Sequence, residues 1–150
     1  MSFTINHLTA DDLEAMDALL TTFGVAFDDA GTYGKARPGQ TYMRRLLGRS
    51  DFIALTATVE GEVVGGLAAY ELLKFEQERS EIYIYDLAVL SAHRRQGIAT
   101  GLIGALRKIA KERGAWVVFV QADHGDDPAI ALYTKLGTRE DVLHFDIAVD

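Results

Sequence analysis

The sequence predicts an α+β domain in which helices cover one mixed sheet, and three patterns carry that expectation. Runs of β-branched and aromatic residues with strand character crowd the middle of the chain, from Phe52 to Val89, broken only by the Glu60-Gly61 turn and a charged connection. Apolar residues at helical spacing occupy the segments before and after. From Glu81 onward, strand and helix alternate. Hairpins followed by βα units give antiparallel and parallel pairing in the same sheet.

Taken in order, Phe3 to Leu8 reads as a first strand. Thr9 is placed to cap a helix whose Leu13, Met16, Leu19, Leu20 and Phe23 share a face, with Gly24 ending it. Asp28 to Gln40, rich in Gly and Asp, is expected to be loop. Tyr42, Leu46 and Leu47 suggest a short second helix. Phe52 to Val59, Glu62 to Leu73 and Glu81 to Val89 are strands. Ser91 to Gly97 is a basic loop opening a helix with Ile98, Leu102, Ile103, Leu106, Ile109 and Ala110 inward, which Gly114 closes. Trp116 to Gln121 is a strand. Asp127 caps a helix with Pro128 in its first turn and Gly137 at its end. Thr138 to Val149 is read as the last strand. The order is β-α-α-β-β-β-α-β-α-β.

With 150 residues, 49% hydrophobic and 25% charged, the chain suits one globular domain spanning residues 1–150. It has no cysteine, which excludes disulfides and a catalytic thiol. A formal charge of −7 argues against nucleic-acid binding and is compatible with a cationic substrate or with simple solubility. No apolar stretch approaches bilayer length, and Met1 to His7 lacks the basic and apolar regions of a secretory leader; a cytoplasmic protein is expected. His7, His93, His124 and His144 show no metal-ligand spacing, so no metal is expected.

The most informative segment is Tyr85-Asp86-Leu87-Ala88-Val89 followed by Ser91-Ala92-His93-Arg94-Arg95-Gln96-Gly97-Ile98-Ala99-Thr100. A strand runs into a basic loop and then a helix start. Unpaired N–H groups and the positive end of the helix dipole meet there. Gly97 and Ala99 keep side chains out of the way of an approaching pyrophosphate. By itself the pattern is more often that of an ordinary basic loop.

The pattern Arg94-x-x-Gly97-x-Ala99 resembles the acetyl-CoA signature of the GNAT superfamily of N-acetyltransferases, in its usual place after the fourth strand. The resemblance implies a GNAT fold, with a mixed central sheet of six to seven strands flanked by about four helices. It also implies acetyl-CoA as co-substrate. The pyrophosphate would lie on Arg94, Arg95, Gln96, Gly97, Ile98, Ala99 and Thr100. The pantetheine arm would pair with the backbone of Leu87 to Val89, where strands four and five splay. Closer likeness, strong from Phe52 to Ile147, is to the aminoglycoside 3-N-acetyltransferases, the type I gentamicin acetyltransferases. It runs through Lys74-Phe75-Glu76-Gln77, Arg79 to Val89, His93 to Thr100, Gln121-Ala122-Asp123, Gly125 to Ala129, Ala131 to Gly137 and His144 to Ile147. It implies an aminoglycoside partner and a homodimer.

In that likeness Tyr133 is the general acid for the departing thiolate; by periodicity alone it is a core tyrosine on an amphipathic helix. Asp86 is the best-placed residue to hold the substrate ammonium or accept its proton; the alternative is a carboxylate bonding backbone N–H groups at a strand irregularity. The oxyanion would rest on the backbone N–H of Leu87 or Ala88. Glu81, Tyr83, Asp123, Asp126 and Asp146 are assigned to the amine site; each acid is also readable as a surface charge or cap. Two rival functions use the same residues: acetylation of another amine, such as a polyamine, an arylalkylamine or a protein amine, and a non-catalytic coenzyme A sensor.

Overall fold

The structure is a computed structural model that describes residues 2–150. One five-stranded sheet in the order β1-β2-β3-β4-β5 forms the centre. Its strands are β1 (Thr4–His7), β2 (Phe52–Val59), β3 (Glu62–Leu73), β4 (Ser80–Val89) and β5 (Ala115–Val120). The first four pair antiparallel, and β5 lies parallel to β4. The helices are α1 (Leu13–Ala26), α2 (Ala30–Gly34), α3 (Gln40–Leu47), α4 (Ile98–Arg113) and α5 (Asp127–Leu136), with a 3₁₀ turn at Ser91–His93. Among the described residues, no helix is long and apolar enough to cross a membrane.

Alternation along the strands builds two cores. Ile53, Leu55, Leu67, Ala69, Ile82 and Ile84 face α4, whose Ile98, Leu102, Ile103 and Leu106 are buried against them. Phe52, Ala54 and Ala88 face α1 and α3 and pack on Met16, Leu19, Phe23, Met43 and Leu47. Gly66 is required on this second face. A Cβ there would collide with the Leu55 carbonyl oxygen and the Leu19 side chain, so α1 crosses β3 at backbone contact.

The expectation of six to seven strands and four helices is corrected to five and five. Residues 143–150 alternate as a strand should, but among the described residues no strand pairs with them, and strand structure requires a hydrogen-bonded neighbour. Residues 138–150 form an exposed arm without regular secondary structure. The extra helix is α2, inside the segment expected to be loop. Its start is fixed by Asp29, whose carboxylate accepts the Thr32 N–H at 3.0 Å.

Three boundaries also shift. The α1 cap position belongs to Asp12, not Thr9, and the Asp12 carboxylate turns back to accept from Thr9 N and Oγ1. Gly24 lies inside α1, where a Cβ would stand 3.4 Å from that of Tyr33; it serves close packing of α2, not termination. The cap of α5 is Asp126, which accepts from Ala129 N at 3.4 Å, and Asp127 is the first helical residue.

Candidate active site

The site begins where β4 and β5 part. Their pairing runs from Ser80–Ala115 to Ile84–Val120 and stops, while β4 continues to Val89 against β3. Residues 85–89 therefore turn one edge of backbone toward an opening wedge. The expected splay is present at Leu87, Ala88 and Val89. Their side chains are largely inside the cores, Leu87 and Val89 toward α4 and Ala88 toward α1, so only their backbone is available to a bound molecule.

A β-bulge sets what faces the wedge. Ala68 pairs with Asp86 but Ala69 pairs with Ile84, leaving Tyr85 as an extra residue. The bulge reverses the parity of β4. Without it, Asp86 would follow Ile82 and Ile84 into the apolar α4 core. With it, Asp86 joins Tyr83 and Tyr85 on the α1–α2 face, and Leu87 and Val89 take over the α4 side.

Asp86 is half-buried there and accepts a hydrogen bond from the Tyr33 hydroxyl at 2.7 Å. Burial pushes its carboxyl above the usual range, and the Tyr33 hydrogen bond pulls the other way. Burial and the neighbouring carboxylate push the Tyr33 hydroxyl strongly up, so it stays a donor. Tyr33 is itself anchored: Arg37 donates to its carbonyl through Nε at 3.2 Å and Nη2 at 2.6 Å, and Arg37 Nη1 reaches Asp17 at 2.9 Å. An α1–α2 strap thus holds the carboxylate in place.

Beside Asp86 runs a row of rings across the sheet. Phe52 and Tyr70 are 5.2 Å apart, Tyr70 and Tyr85 6.0 Å, Tyr85 and Tyr83 5.8 Å, and Tyr83 stacks on Phe119 at 4.8 Å. Phe52 belongs to the core, but Tyr85 is 63% exposed, so from Tyr70 onward the row is a solvent-facing floor. The Tyr83 hydroxyl donates to Gln121 Oε1 at 2.9 Å.

The other assigned acids differ in setting. Glu81, also on β4, accepts from Lys74 Nζ at 2.6 Å, so its charge is already balanced. Asp123 is exposed in the β5–α5 loop, and its carbonyl receives the Asp126 N–H. Asp126 caps α5. Asp146 lies on the C-terminal arm, 96% exposed, 2.9 Å from His144; it does not join the Asp86 cluster within this chain.

Across the sheet from Asp86, Tyr133 packs with Leu132 against the α4 core and lines a cavity with Ile84, Ile103, Val118 and Val120. Burial, with Asp126 nearby, holds its hydroxyl pushed up to about 12. It remains protonated at neutral pH, as a proton donor must.

The loop into α4 has anion-binding geometry. Gly97 is the N-cap at φ 82°, and no side chain caps the first turn, which contains no acid. The N–H groups of the first turn are therefore free toward an anion. A Cβ at Gly97 would meet nothing within 4 Å, so approach is open. Arg94, Arg95, Gln96 and Thr100 are exposed around it. Arg94 Nε donates to the Val89 carbonyl at 3.2 Å, tying the loop to the end of β4. Ile98 is buried and contributes only backbone. The His93 Nδ1 atom, buried in the same loop, has no partner among the described residues. These features fit a pyrophosphate.

Sequence reasoning missed Tyr33, Arg37, Tyr70 and Tyr85. The Tyr83-x-Tyr85 spacing in an otherwise apolar strand was a usable signal for the floor. Tyr33 had none, because its segment reads as loop.

Comparison with known proteins accords with this geometry. Residues 15–138 match the model of the Acetyltransferase (GNAT) family. The crystal structure of an aminoglycoside acetyltransferase from an uncultured soil metagenomic sample is similar over 100% of both chains, with 60% identity and a TM-score of 0.98. Agreement that complete includes the C-terminal arm. A second soil-metagenome aminoglycoside acetyltransferase, in complex with sisomicin, is 33% identical over 99% of this chain and 97% of its own, with a TM-score of 0.91. An N-alpha-acetyltransferase of Sulfurisphaera tokodaii is 36% identical over 95 residues, 56% of this chain; the match spans about half, 54%, of that protein's length. Signature loop, splayed strands and whole-chain likeness converge: the chain belongs to the GNAT acetyltransferase family and is related to its aminoglycoside acetyltransferases.

Proposed function

We propose that the protein transfers the acetyl group of acetyl-CoA to an amine of an aminoglycoside, the 3-amino group of the deoxystreptamine ring. The observation that carries this reading is Asp86: a half-buried carboxylate with a raised pKa, placed by a bulge at the mouth of the wedge and flanked by a tyrosine floor. An ammonium docking there meets a proton acceptor held by Tyr33, while aromatic faces accept sugar rings. The pyrophosphate rests on the first turn of α4 with Arg94 and Arg95, and the pantetheine arm enters between β4 and β5.

Asp86 takes the ammonium proton, directly or through water, and the free amine attacks the thioester carbonyl. The Leu87 or Ala88 N–H holds the oxyanion. When the C–S bond breaks, Tyr133 gives its proton to the sulfur, and the second proton of the attacking nitrogen leaves to water as the amide forms. The chain has no cysteine, so no thiol intermediate takes part. The preference for the 3-amino group rests on the likeness of Glu81–Asp86 and His144–Ile147 to the 3-N-acetyltransferases. Glu81, Tyr83, Asp123 and Asp126 are assigned to the remaining ammonium groups.

Mass spectrometry of gentamicin incubated with the protein and acetyl-CoA should show one added acetyl group, and NMR should place it on the 3-nitrogen. Turnover of polyamines or peptides with none of gentamicin would overturn the substrate class. Acetylation at another nitrogen would overturn only the regiochemistry.

A further inference from the structure

Arg37 lies outside the wedge, yet every nitrogen of its guanidinium is engaged. Nε and Nη2 converge on the Tyr33 carbonyl at 3.2 and 2.6 Å. Nη1 donates to the Asp17 carbonyl at 3.3 Å, the Asp17 carboxylate at 2.9 Å and the Thr21 hydroxyl at 3.0 Å. The Arg37 side chain is 26% exposed and that of Asp17 63%, so the ion pair is screened by water and adds little. The fork on the Tyr33 carbonyl has a larger task. With five residues, α2 cannot hold its shape alone, and its last carbonyls find no partner inside the helix. A continuing helix would give the Tyr33 carbonyl the Arg37 N–H, but Pro38 turns residue 37 away from helical backbone. The Arg37 side chain takes the place of its own N–H, and its charge suits the negative end of the helix.

The far end of Tyr33 meets Asp86. Phe23 at 5.8 Å and Phe27 at 5.7 Å fix the Tyr33 ring sideways. How far the ring reaches toward β4 depends on where its backbone sits, and the Arg37 fork sets that. O–H···O hydrogen bonds hold only over roughly 2.5–3.0 Å. The 2.7 Å bond from the Tyr33 hydroxyl to Asp86 therefore has little slack. We propose that Arg37 is a positioning residue for the acetyl transfer: by pinning the Tyr33 carbonyl it keeps the Tyr33 hydroxyl on the Asp86 carboxylate. This role presupposes the reading of Asp86 as acceptor of the ammonium proton. The Tyr33 bond holds the carboxylate ionised against burial, so releasing Tyr33 should let Asp86 keep its proton to higher pH. Asp86 also faces Tyr70 of β3 and Tyr83 and Tyr85 of β4, Tyr33 faces Asp29, and Arg37 shares a cavity with Glu14 and Asp17 of α1. These groups are a constant background in the variants below.

Carbon NMR of the free protein reads the role without turnover. The Asp86 carboxyl signal, assigned by its loss in Asp86→Asn, is followed against pH in the parent, Arg37→Met, Tyr33→Phe and the double variant. Arg37→Met should raise the midpoint as Tyr33→Phe does, and the double variant should move no further than Tyr33→Phe alone. An unmoved midpoint in Arg37→Met, or shifts that add, overturns the proposal, because an independent charge or a general loosening acts whether or not Tyr33 has its hydroxyl. Arg37→Lys keeps the charge and loses the fork, and it carries the same cycle should the methionine variant not fold. It should follow Arg37→Met; a parental midpoint overturns the fork. With gentamicin and acetyl-CoA, Arg37→Met should lose about tenfold in kcat/KM on the acid side and much less on the plateau, the loss expected for a hydrogen bond to a charged group. Midpoints that move as expected with no turnover of gentamicin would support the positioning and overturn the proposed function. Turnover with an unmoved midpoint would do the reverse.

Discussion

Asp86 carries a proton-linked cost that its substitution should expose. Its pKa is raised in the folded state, mainly by burial, so the folded protein binds that proton more readily than the unfolded chain. The group's contribution to stability is complete below the unfolded value of about 3.9 and is lost as pH rises through the folded value. Asp86→Asn should therefore melt higher than the parent at neutral pH, with the difference shrinking as pH falls below about 4, while kcat drops by about a hundredfold or more. A lower melting temperature across the whole range would remove the burial argument. Tyr33→Phe deletes the one hydrogen bond that lowers the Asp86 pKa, so the acid limb of kcat/KM should move to higher pH. An unmoved limb would show that Asp86 does not set it. Tyr133→Phe should lower kcat by about a hundredfold with little change in acetyl-CoA binding, measured by calorimetry beside steady-state rates. Because the parent hydroxyl is pushed up to about 12, no alkaline fall from Tyr133 should appear below pH 10.

Among the elements, β3 is the least forgiving. Gly66→Ala drives a Cβ into the Leu55 carbonyl oxygen and Leu19, and α1 must move off the sheet. Overpacking of this kind costs about 1–3 kcal/mol, and here one of the atoms hit is backbone, so urea denaturation should show a loss at or above the upper figure. A neutral result would mean that α1 is loosely seated. Much at this scale was legible in the sequence. β2 and β3 fall where residue pattern and the Glu60-Gly61 turn put them, because local chemistry decides a hairpin. The α4 loop was legible because an anion site built from backbone needs glycine and arginine at fixed offsets. The bulge at Tyr85 was not. No residue type there demands it, and it is selected by the packing of Asp86 on one face and Leu87 on the other. Strap residues Tyr33 and Arg37 were hidden for a related reason: a five-residue helix draws its stability from contacts remote in sequence, which local pattern does not record. The expected strand in the arm is absent: pairing is a property of neighbours, and the described residues provide none for it.

For the whole molecule, a formal charge of −7 favours attraction of a polycationic drug. The KM for an aminoglycoside should rise several-fold between about 0.01 and 0.5 M salt as the screening length contracts from about 30 Å to a few ångström. The same titration should change the KM of a singly charged amine much less. Equal slopes for both would mean that the field plays no part in drug capture. The parting of β4 from β5 has a further consequence when followed as proton traffic. Asp86 lies on the α1 side of the sheet and Tyr133 on the α4 side. On the proposed reading the ammonium nitrogen gives up two protons on one side, one to Asp86 before attack and one to water as the amide forms, and the sulfur receives one on the other. Turning an ammonium and a thioester into an amide and a thiol releases one proton net. The two sites cannot reset by handing it directly to each other through the packed strands. Asp86 must discharge to the water that brought the drug, and Tyr133 must recharge from the water on the coenzyme side. Each turnover thus exchanges protons with two separate pools of solvent, and closing either one should stall the enzyme in a different protonation state.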